Sequence, residues 1–258
     1  MTISATRQND WLRRFHPAPQ ARMRLVCFPH AGGSASYYFP MSAALSPAVE
    51  VAAVQYPGRQ DRRREPRIED IGELADRIDA ELRADGDGAG LPMAFFGHSM
   101  GAVLAFEVAL RVERRGERGP VRVFASGRRA PGRFRSDTVH QEPDALLIEE
   151  IRRLGGTDSR WLEDDELKAV VLPVIRSDYR AVERYRSRPD AVIDAPVTVL
   201  TGDADPHTTL EEAEAWRAHT RGDFALSTFS GGHFFLERHQ AAVIDTVTEA
   251  LGPYLEPR

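Results

Sequence analysis

Residues 97–101 read Gly-His-Ser-Met-Gly, a pattern that places Ser99 between two glycines. The apolar residues 93–96 before it predict a buried strand, and residues 102–110 after it predict a helix. A strand, a sharp turn and a helix in this order are typical of a nucleophile elbow, whose glycines permit a strained backbone and whose serine stays accessible. The pattern therefore predicts nucleophilic catalysis by Ser99. The alternative is an ordinary strand-to-helix turn in which the serine caps the helix.

A serine hydroxyl needs a base within hydrogen-bond reach and a carboxylate that orients the base. In proteins with such an elbow these groups follow in the order serine, acid, histidine. A predicted strand at 197–201 runs into Asp203 and Asp205, and another at 224–229 runs through a glycine-rich turn into His233. Because parallel sheets place their sites at the carboxyl ends of strands, we predict His233 as the base and Asp205 as the acid. Asp203, which could cap the turn, is the alternative acid.

An acyl-transfer site also needs backbone N–H donors for the developing oxyanion. In a nucleophile elbow the first donor belongs to the residue after the serine, which is Met100 here. The second comes from a loop after an earlier strand. Residues 24–28 predict such a strand, and residues 29–34, Pro-His-Ala-Gly-Gly-Ser, follow it. We predict the N–H of Ala31 as the second donor, because the adjacent glycines let the loop approach a substrate. A glycine-rich turn without a catalytic role is the alternative.

Most of the remaining histidines lack the setting of His233. His98 lies inside the elbow and is predicted to pack or hydrogen-bond locally, whereas His207 is a structural neighbour of the acid loop. Four more are predicted to be surface or solvated residues: His16, His140, His219 and His239.

The segments that carry these residues alternate between short strand-like runs and longer runs of helical period, which favours a parallel sheet covered by helices. Strands are predicted at 24–28, 49–54, 93–96, 121–126, 197–201 and 224–229. A helix is predicted through 68–82, another behind Thr209 and Glu212, which have capping-box spacing, and a last one through 243–251, ended by Gly252 and Pro253. We therefore predict one α/β domain over residues 1–258.

Residues 132–189 break this alternation, because they contain two helical stretches and no convincing strand. The stretches are 143–154 and 164–185, and Pro173 is expected to kink or split the second. An insertion of this length between two core strands is either a lid over a site or an additional structural layer. We favour the lid, because function tends to reside on segments inserted into rigid scaffolds.

The composition is that of an ordinary globular protein: 258 residues, 42% hydrophobic and 28% charged. One cysteine, Cys27, excludes an intramolecular disulfide framework and fits a reducing compartment. The net charge of −5 gives no global basic field, so we expect no nucleic-acid partner. The sequence starts with a polar stretch and shows no export signal and no convincing membrane span. We therefore expect a cytoplasmic protein.

Five segments together resemble the type II thioesterases, the free-standing editing enzymes of polyketide and nonribosomal peptide assembly lines. They are residues 28–34 (FPHAGGS), 55–59 (QYPGR), 97–101 (GHSMG), 202–205 (GDAD) and 231–236 (GGHFFL). The likeness extends over nearly the whole chain. It implies an α/β-hydrolase fold with an inserted helical lid and a triad of Ser99, His233 and Asp205, because in the family pattern the second acid after the glycine is the triad member.

The resemblance further implies hydrolysis of aberrant or stalled acyl groups from the phosphopantetheine arm of an acyl or peptidyl carrier protein, through an acyl-Ser99 intermediate. We expect no metal and no cofactor, because a thiol is a good leaving group, and we expect the protein to act as a monomer. Two alternatives stay open. One is a general carboxylesterase or lipase acting on small-molecule esters, and the other is a catalytically silent hydrolase-fold protein that binds partners.

Two arginine-rich stretches lie within this net-acidic sequence, one at 59–67 and one containing Arg128, Arg129, Arg133 and Arg135. They could steer an acidic carrier domain or contact the phosphate of its arm. The alternative is that they are solvated surface charge.

Overall fold

The structure, a computed structural model, describes residues 9–85, 90–155 and 164–255. The strands in these ranges are β1 (Leu12–Arg13), β2 (Met23–Phe28), β3 (Val49–Val54), β4 (Met93–His98), β5 (Val123–Ser126), β6 (Val197–Gly202) and β7 (Phe224–Phe229). They form one sheet in the order β1-β3-β2-β4-β5-β6-β7. Every neighbouring pair is parallel except β1 and β3. The predicted mostly parallel sheet is therefore confirmed.

The strand that the sequence did not predict is β1, at one edge of the sheet. Leu12 pairs with Val54 and Arg13 with Ala53 in antiparallel register. Two residues are too few to show the alternation of period two by which a strand is recognised. The six predicted strands are all present, with ends that differ by at most two residues.

Both faces of the sheet are buried, since the side chains of its central strands alternate between two hydrophobic clusters. In β2, Val26 and Phe28 belong to one cluster, whereas Leu25 and Cys27 belong to the other. Such strands read as nearly continuous apolar runs, interrupted here only by Arg24 in β2 and Glu50 in β3, which is why both strands could be predicted.

Helices cover both faces. They are α1 (Phe39–Leu45), α2 (Ile71–Ala84), α3 (Met100–Arg114), α4 (Asp144–Leu154), α5 (Asp165–Arg184), α6 (Leu210–Glu214), α7 (Phe235–Arg238) and α8 (Gln240–Leu255). The apolar sides of α2 and α3 join the cluster that holds Val26, and those of α1 and α8 join the cluster that holds Cys27. No helix in the described ranges has both the length and the hydropathy needed to span a bilayer.

Two predictions about helix ends have opposite outcomes. The capping box at α6 is confirmed, because the Thr209 hydroxyl accepts from the Glu212 N–H and the Glu212 carboxylate accepts from the Thr209 N–H. The predicted end of the last helix at Gly252 is wrong, since α8 continues through Pro253 to Leu255. Proline removes only one N–H donor from the final turn. Packing of Leu255 against the core accounts for the extension.

Between Ser126 and Val197 the described residues contain helices and no strand, as predicted. Pro173 lies inside α5 without splitting it. Helix α5 packs on α4 through a small apolar cluster of Leu147, Ile151, Leu172 and Ile175. It also reaches the loop after β2, where a Cβ atom on Gly32 would lie 2.6 Å from Cγ1 of Ile175. Helix α5 therefore crosses the carboxyl ends of the strands, while residues 156–163 of the predicted lid lie outside the described residues.

Candidate active site

Ser99 lies at a sharp turn between β4 and α3, with φ of 55° and ψ of −115°. This backbone conformation is strained for any residue other than glycine, and such strain is typical of functional sites. Only glycine fits at the two flanking positions, because other backbone atoms lie too close for a side chain. A Cβ on Gly97 would lie 2.1 Å from the Gly101 carbonyl oxygen, and one on Gly101 would lie 1.9 Å from that of Phe28. The structure thus has the geometry of a nucleophile elbow.

His233 and Asp205 lie at the ends of adjacent strands and contact each other. Nδ1 of His233 is 2.9 Å from Oδ2 of Asp205, and their side chains are 3% and 0% exposed. The other carboxylate oxygen of Asp205 accepts from the N–H of His207 at 2.8 Å. A carboxylate held in this way can orient the imidazole and fix which ring nitrogen carries the proton.

Asp203, the alternative acid, has a different environment. Its Oδ1 accepts from the backbone N–H of Gly231 at 2.8 Å, and its side chain is exposed. It therefore joins the ends of β6 and β7 as a turn-capping residue. The geometry favours Asp205 over Asp203 as the partner of His233.

Ser99, His233 and Ala31 line one cavity at the carboxyl end of the sheet. Leu154, at the end of α4, and Tyr179, on α5, form part of its wall. Met100 is the first residue of α3, so its N–H has no acceptor within the helix. The structure thus brings the predicted nucleophile, base and one oxyanion donor to the same cavity, with the second donor directly after the serine.

A buried ion pair holds the loop that carries Ala31. Asp178, on α5, accepts from the Gly32 N–H at 2.7 Å and from both terminal nitrogens of Arg59 at 2.8 Å. Arg59 also donates to the carbonyl oxygen of Gly33 at 2.9 Å. Asp178 is 1% exposed and Arg59 is 7% exposed. This pair fixes the peptide groups directly after Ala31, and it ties the loop to α5.

Two further histidine rings surround His233. Burial lowers the pKa of His30 to about 3, with further lowering by the nearby His233 and Arg59. Burial also lowers the pKa of His98 well below its ordinary value, and His233 and His30 act in the same direction. Nδ1 of His98 lies 3.0 Å from the Ser126 hydroxyl, as the predicted local hydrogen bond requires. Both rings are therefore neutral near pH 7.

His207 connects the acid loop to α4. Its Nε2 lies 2.6 Å from Oε1 of Glu150, and its ring centroid lies 5.5 Å from that of His233. The hydrogen bond from His207 is the main cause that lowers the pKa of Glu150 to about 2. The prediction that His207 is a neighbour of the acid loop is confirmed.

Three contributions to this site were not predicted from the sequence: those of Asp178, Glu150 and Arg59. Asp178 had a signal, because it is a charged residue on the apolar face of a helix, between Ile175 and Ala181. Glu150 had none, since it lies on the polar side of α4.

The surface assignment of two histidines was also wrong. His140 is buried and contacts Glu183, and His219 is buried with its Nδ1 2.9 Å from the carbonyl oxygen of Ala191. Histidine is intermediate between buried and exposed residue types, so sequence alone could not decide its location.

Among the described residues, no group of three or more histidine, cysteine or carboxylate side chains is arranged to hold a metal ion.

Comparison with known proteins identifies similar chains. A model of the thioesterase domain matches residues 23–251. The chain is 52% identical over 243 residues to a probable cadicidin biosynthesis thioesterase of Streptomyces griseus, covering 94% of this chain and 66% of that protein. It is 50% identical over 241 residues to thioesterase PikA5 of Streptomyces venezuelae, covering 93% and 85%. Among solved structures, the type II thioesterase BorB from the borrelidin biosynthetic cluster superposes with a TM-score of 0.86 at 49% identity, covering 93% of this chain and 97% of BorB.

Proposed function

Since the chain belongs to the thioesterase family, we propose that it is a type II thioesterase of a polyketide or nonribosomal peptide pathway. The family resemblance and the α/β-hydrolase fold that the motifs predicted are confirmed. The proposed reaction is the hydrolysis of aberrant or stalled acyl groups from the phosphopantetheine arm of a carrier protein. The observation that carries this proposal is that Ser99 and His233 line the same cavity, with Nδ1 of His233 hydrogen-bonded to Asp205 behind it.

The proposed mechanism uses these residues in two steps. His233 accepts the proton of Ser99 as its oxygen attacks the thioester carbonyl, and the N–H groups of Ala31 and Met100 bind the oxyanion. The carbon–sulfur bond then breaks, and the leaving thiolate takes the proton from His233. In the second step His233 activates a water that hydrolyses the acyl-Ser99 ester, while Asp205 keeps the imidazole in the useful tautomer.

We also propose that residues 132–189 are a lid on a single domain formed by residues 1–258. Two contacts support this: Asp178 of α5 binds the loop that carries Ala31, and Glu150 of α4 binds His207. The lid helices thus touch both the proposed oxyanion loop and the acid loop.

The protein is proposed to act as a monomer in the cytoplasm. Its one cysteine, Cys27, is a buried free thiol. A buried thiol is consistent with a reducing compartment.

The first prediction tests the substrate class. The kcat/KM for an acyl group on a carrier protein should exceed that for the same acyl group on N-acetylcysteamine, since both have the same scissile bond and only the carrier supplies remote binding energy. We expect a difference of about tenfold or more. A p-nitrophenyl ester of the same acid serves as the esterase control. Faster turnover of the small ester than of the carrier-bound thioester would instead support a general carboxylesterase.

The second prediction concerns Asp178 as a positioning residue. Asp178→Asn removes the negative charge that pairs with Arg59. It also replaces one of the two acceptor oxygens by an NH2 group, so the loop with Ala31 should lose its fixed position. Removal of a whole oxyanion donor costs about 10²- to 10³-fold in kcat, and a displaced donor should cost about 10- to 100-fold. KM should change much less than kcat.

The control for this experiment is Asp144→Asn, which removes an exposed lid carboxylate paired with Arg176. Breaking a buried ion pair lowers stability, so melting curves and titration of reactive sites with a fluorophosphonate must define the active fraction. A fall in kcat equal to that of the Asp144 variant, or a rise in KM alone, would contradict the positioning role.

A further inference from the structure

A second cavity lies between the end of β5 and the last turns of α5 and shares part of its lining with the catalytic cavity. Four residues line both cavities: Arg128, Arg129, Val182 and Glu183. The two arginines directly follow β5, two strands from the strand that leads to His233. Two cationic side chains therefore stand at the junction of the cavities, beside the site of the proposed reaction.

Arg129 is 4% exposed and only partly satisfied. One terminal nitrogen donates to Oδ2 of Asp137 at 2.7 Å. Its Nε and its other terminal nitrogen are buried without a hydrogen-bond partner in the described part of the chain. A buried donor without an acceptor destabilises the fold, and more so when it is charged. With respect to the described residues, these two donor nitrogens therefore remain available for an acceptor that a bound molecule supplies.

Arg128 is half-buried, and no acceptor among residues 9–85, 90–155 and 164–255 binds its guanidinium. Burial, followed by the charge of Arg129, lowers its pKa to about 9. It therefore remains protonated at neutral pH. Asp137 supplies one negative charge for the two arginines.

Glu183 also lines both cavities, but its oxygens are already used. One accepts from the N–H of Val139 at 2.9 Å, and the other binds His140 through its backbone N–H at 3.2 Å and its ring. Glu183 is thus held by residues 139 and 140, and within the described ranges it makes no hydrogen bond to Arg128 or Arg129. Asp137 is the one described carboxylate that binds either guanidinium group.

Such an arrangement is not explained by stability. Burying a charged donor that has no acceptor costs free energy. Arginine, by contrast, presents a planar set of donors that matches carboxylate and phosphate oxygens. The unused donors at this junction therefore suit an anionic group that enters the cavity.

We propose that Arg128 and Arg129 form a binding site for an oxyanion group of the substrate. This inference rests on the proposed thioesterase function. The oxyanion has two possible sources with the same chemistry, a carboxylate on the acyl chain or the phosphate of the phosphopantetheine arm. Because Ser99 and both arginines line the same cavity, a carboxylate on the acyl chain can reach the arginines while the thioester lies at Ser99. The arm's phosphate would reach them through the second cavity.

The test compares the wild-type protein and Arg128→Gln on four thioesters. Hexanoyl and adipoyl groups differ only in that a carboxylate replaces the terminal methyl, and each is attached to pantetheine or to 4′-phosphopantetheine. For each pair we divide kcat/KM of the anionic thioester by kcat/KM of its counterpart without that anionic group. We expect Arg128→Gln to lower this quotient for one of the two pairs by about 10- to 100-fold, the range of charge-assisted hydrogen bonds. The loss should lie mainly in KM, and the melting temperature should not fall. Dependence on the carboxylate identifies the acyl chain as the source, and dependence on the phosphate identifies the arm.

The matched control is Arg133→Gln, which makes the same change of charge in the same loop. Arg133 lines the second cavity but not the catalytic one, is 51% exposed and pairs with Glu211. The site is disproved if both variants change the ratio equally, because the effect is then general electrostatics. It is also disproved if Arg128→Gln lowers kcat/KM alike on all four thioesters or not at all. If the wild-type protein hydrolyses none of the four, the thioesterase function itself fails.

Discussion

Ser99→Ala is expected to lower kcat for thioester hydrolysis by about 10⁵- to 10⁶-fold, the size of effect that removal of a nucleophilic serine has in a triad. The variant lacks the atom that forms the acyl-enzyme, whereas the cavity and the pair of His233 and Asp205 remain. Residual catalysis should come only from binding and the oxyanion donors. Since alanine keeps the backbone of the elbow, the melting temperature should change little.

Two measurements check this result independently. Steady-state hydrolysis of an acyl-carrier protein gives kcat, and a fluorophosphonate probe reports whether Ser99 is an activated nucleophile. The wild-type protein should be labelled once per chain and Ser99→Ala should not be labelled. Ser36→Ala, which alters an exposed serine in the loop after β2, serves as the control and should be labelled like the wild type. A folded wild-type protein that reacts with neither probe nor substrate would favour the catalytically silent alternative.

The parts of this site that the sequence could predict are those encoded by local pattern. The elbow at Ser99 needs glycines at fixed offsets, because backbone from neighbouring segments occupies the space of a Cβ. Asp205 and His233 could be predicted because each follows an apolar strand, and the carboxyl ends of parallel strands meet at one edge. The same reasoning predicted the sheet, apart from the two-residue strand β1.

The rest depends on contacts between residues that are far apart in the sequence. Asp178 binds Arg59 across 119 positions, and no local pattern encodes that pairing. Glu150 binds His207 across 57 positions, between a helix and a loop whose relative placement is set by packing. The free donors of Arg129 are equally invisible in the sequence, because they follow from the absence of acceptors in its described surroundings. Composition could suggest an arginine-rich stretch but could not separate a buried cation from a solvated one.

The two aspartates after β6 give the sharpest test of the proposed triad. Asp205→Asn should lower kcat by about 10⁴-fold, because an amide can donate to Nδ1 of His233 and so stabilise the tautomer that cannot accept the proton of Ser99. Both side chains are buried and in direct contact at 2.9 Å, so the amide would occupy the position of the carboxylate. The loss should appear in kcat measured on carrier-bound substrate, with labelling by the fluorophosphonate slowed in parallel.

Asp203→Asn is the matched control, since it makes the same chemical change two residues away. The Asn oxygen can still accept from the N–H of Gly231, so the turn should persist and kcat should stay within about tenfold of the wild type. Both variants lose one negative charge from one loop, which separates orientation of His233 from any general effect of charge. Equal losses in the two variants would remove Asp205 from the triad. A larger loss in Asp203→Asn would instead assign the acid to a residue whose carboxylate must leave Gly231 to reach the imidazole.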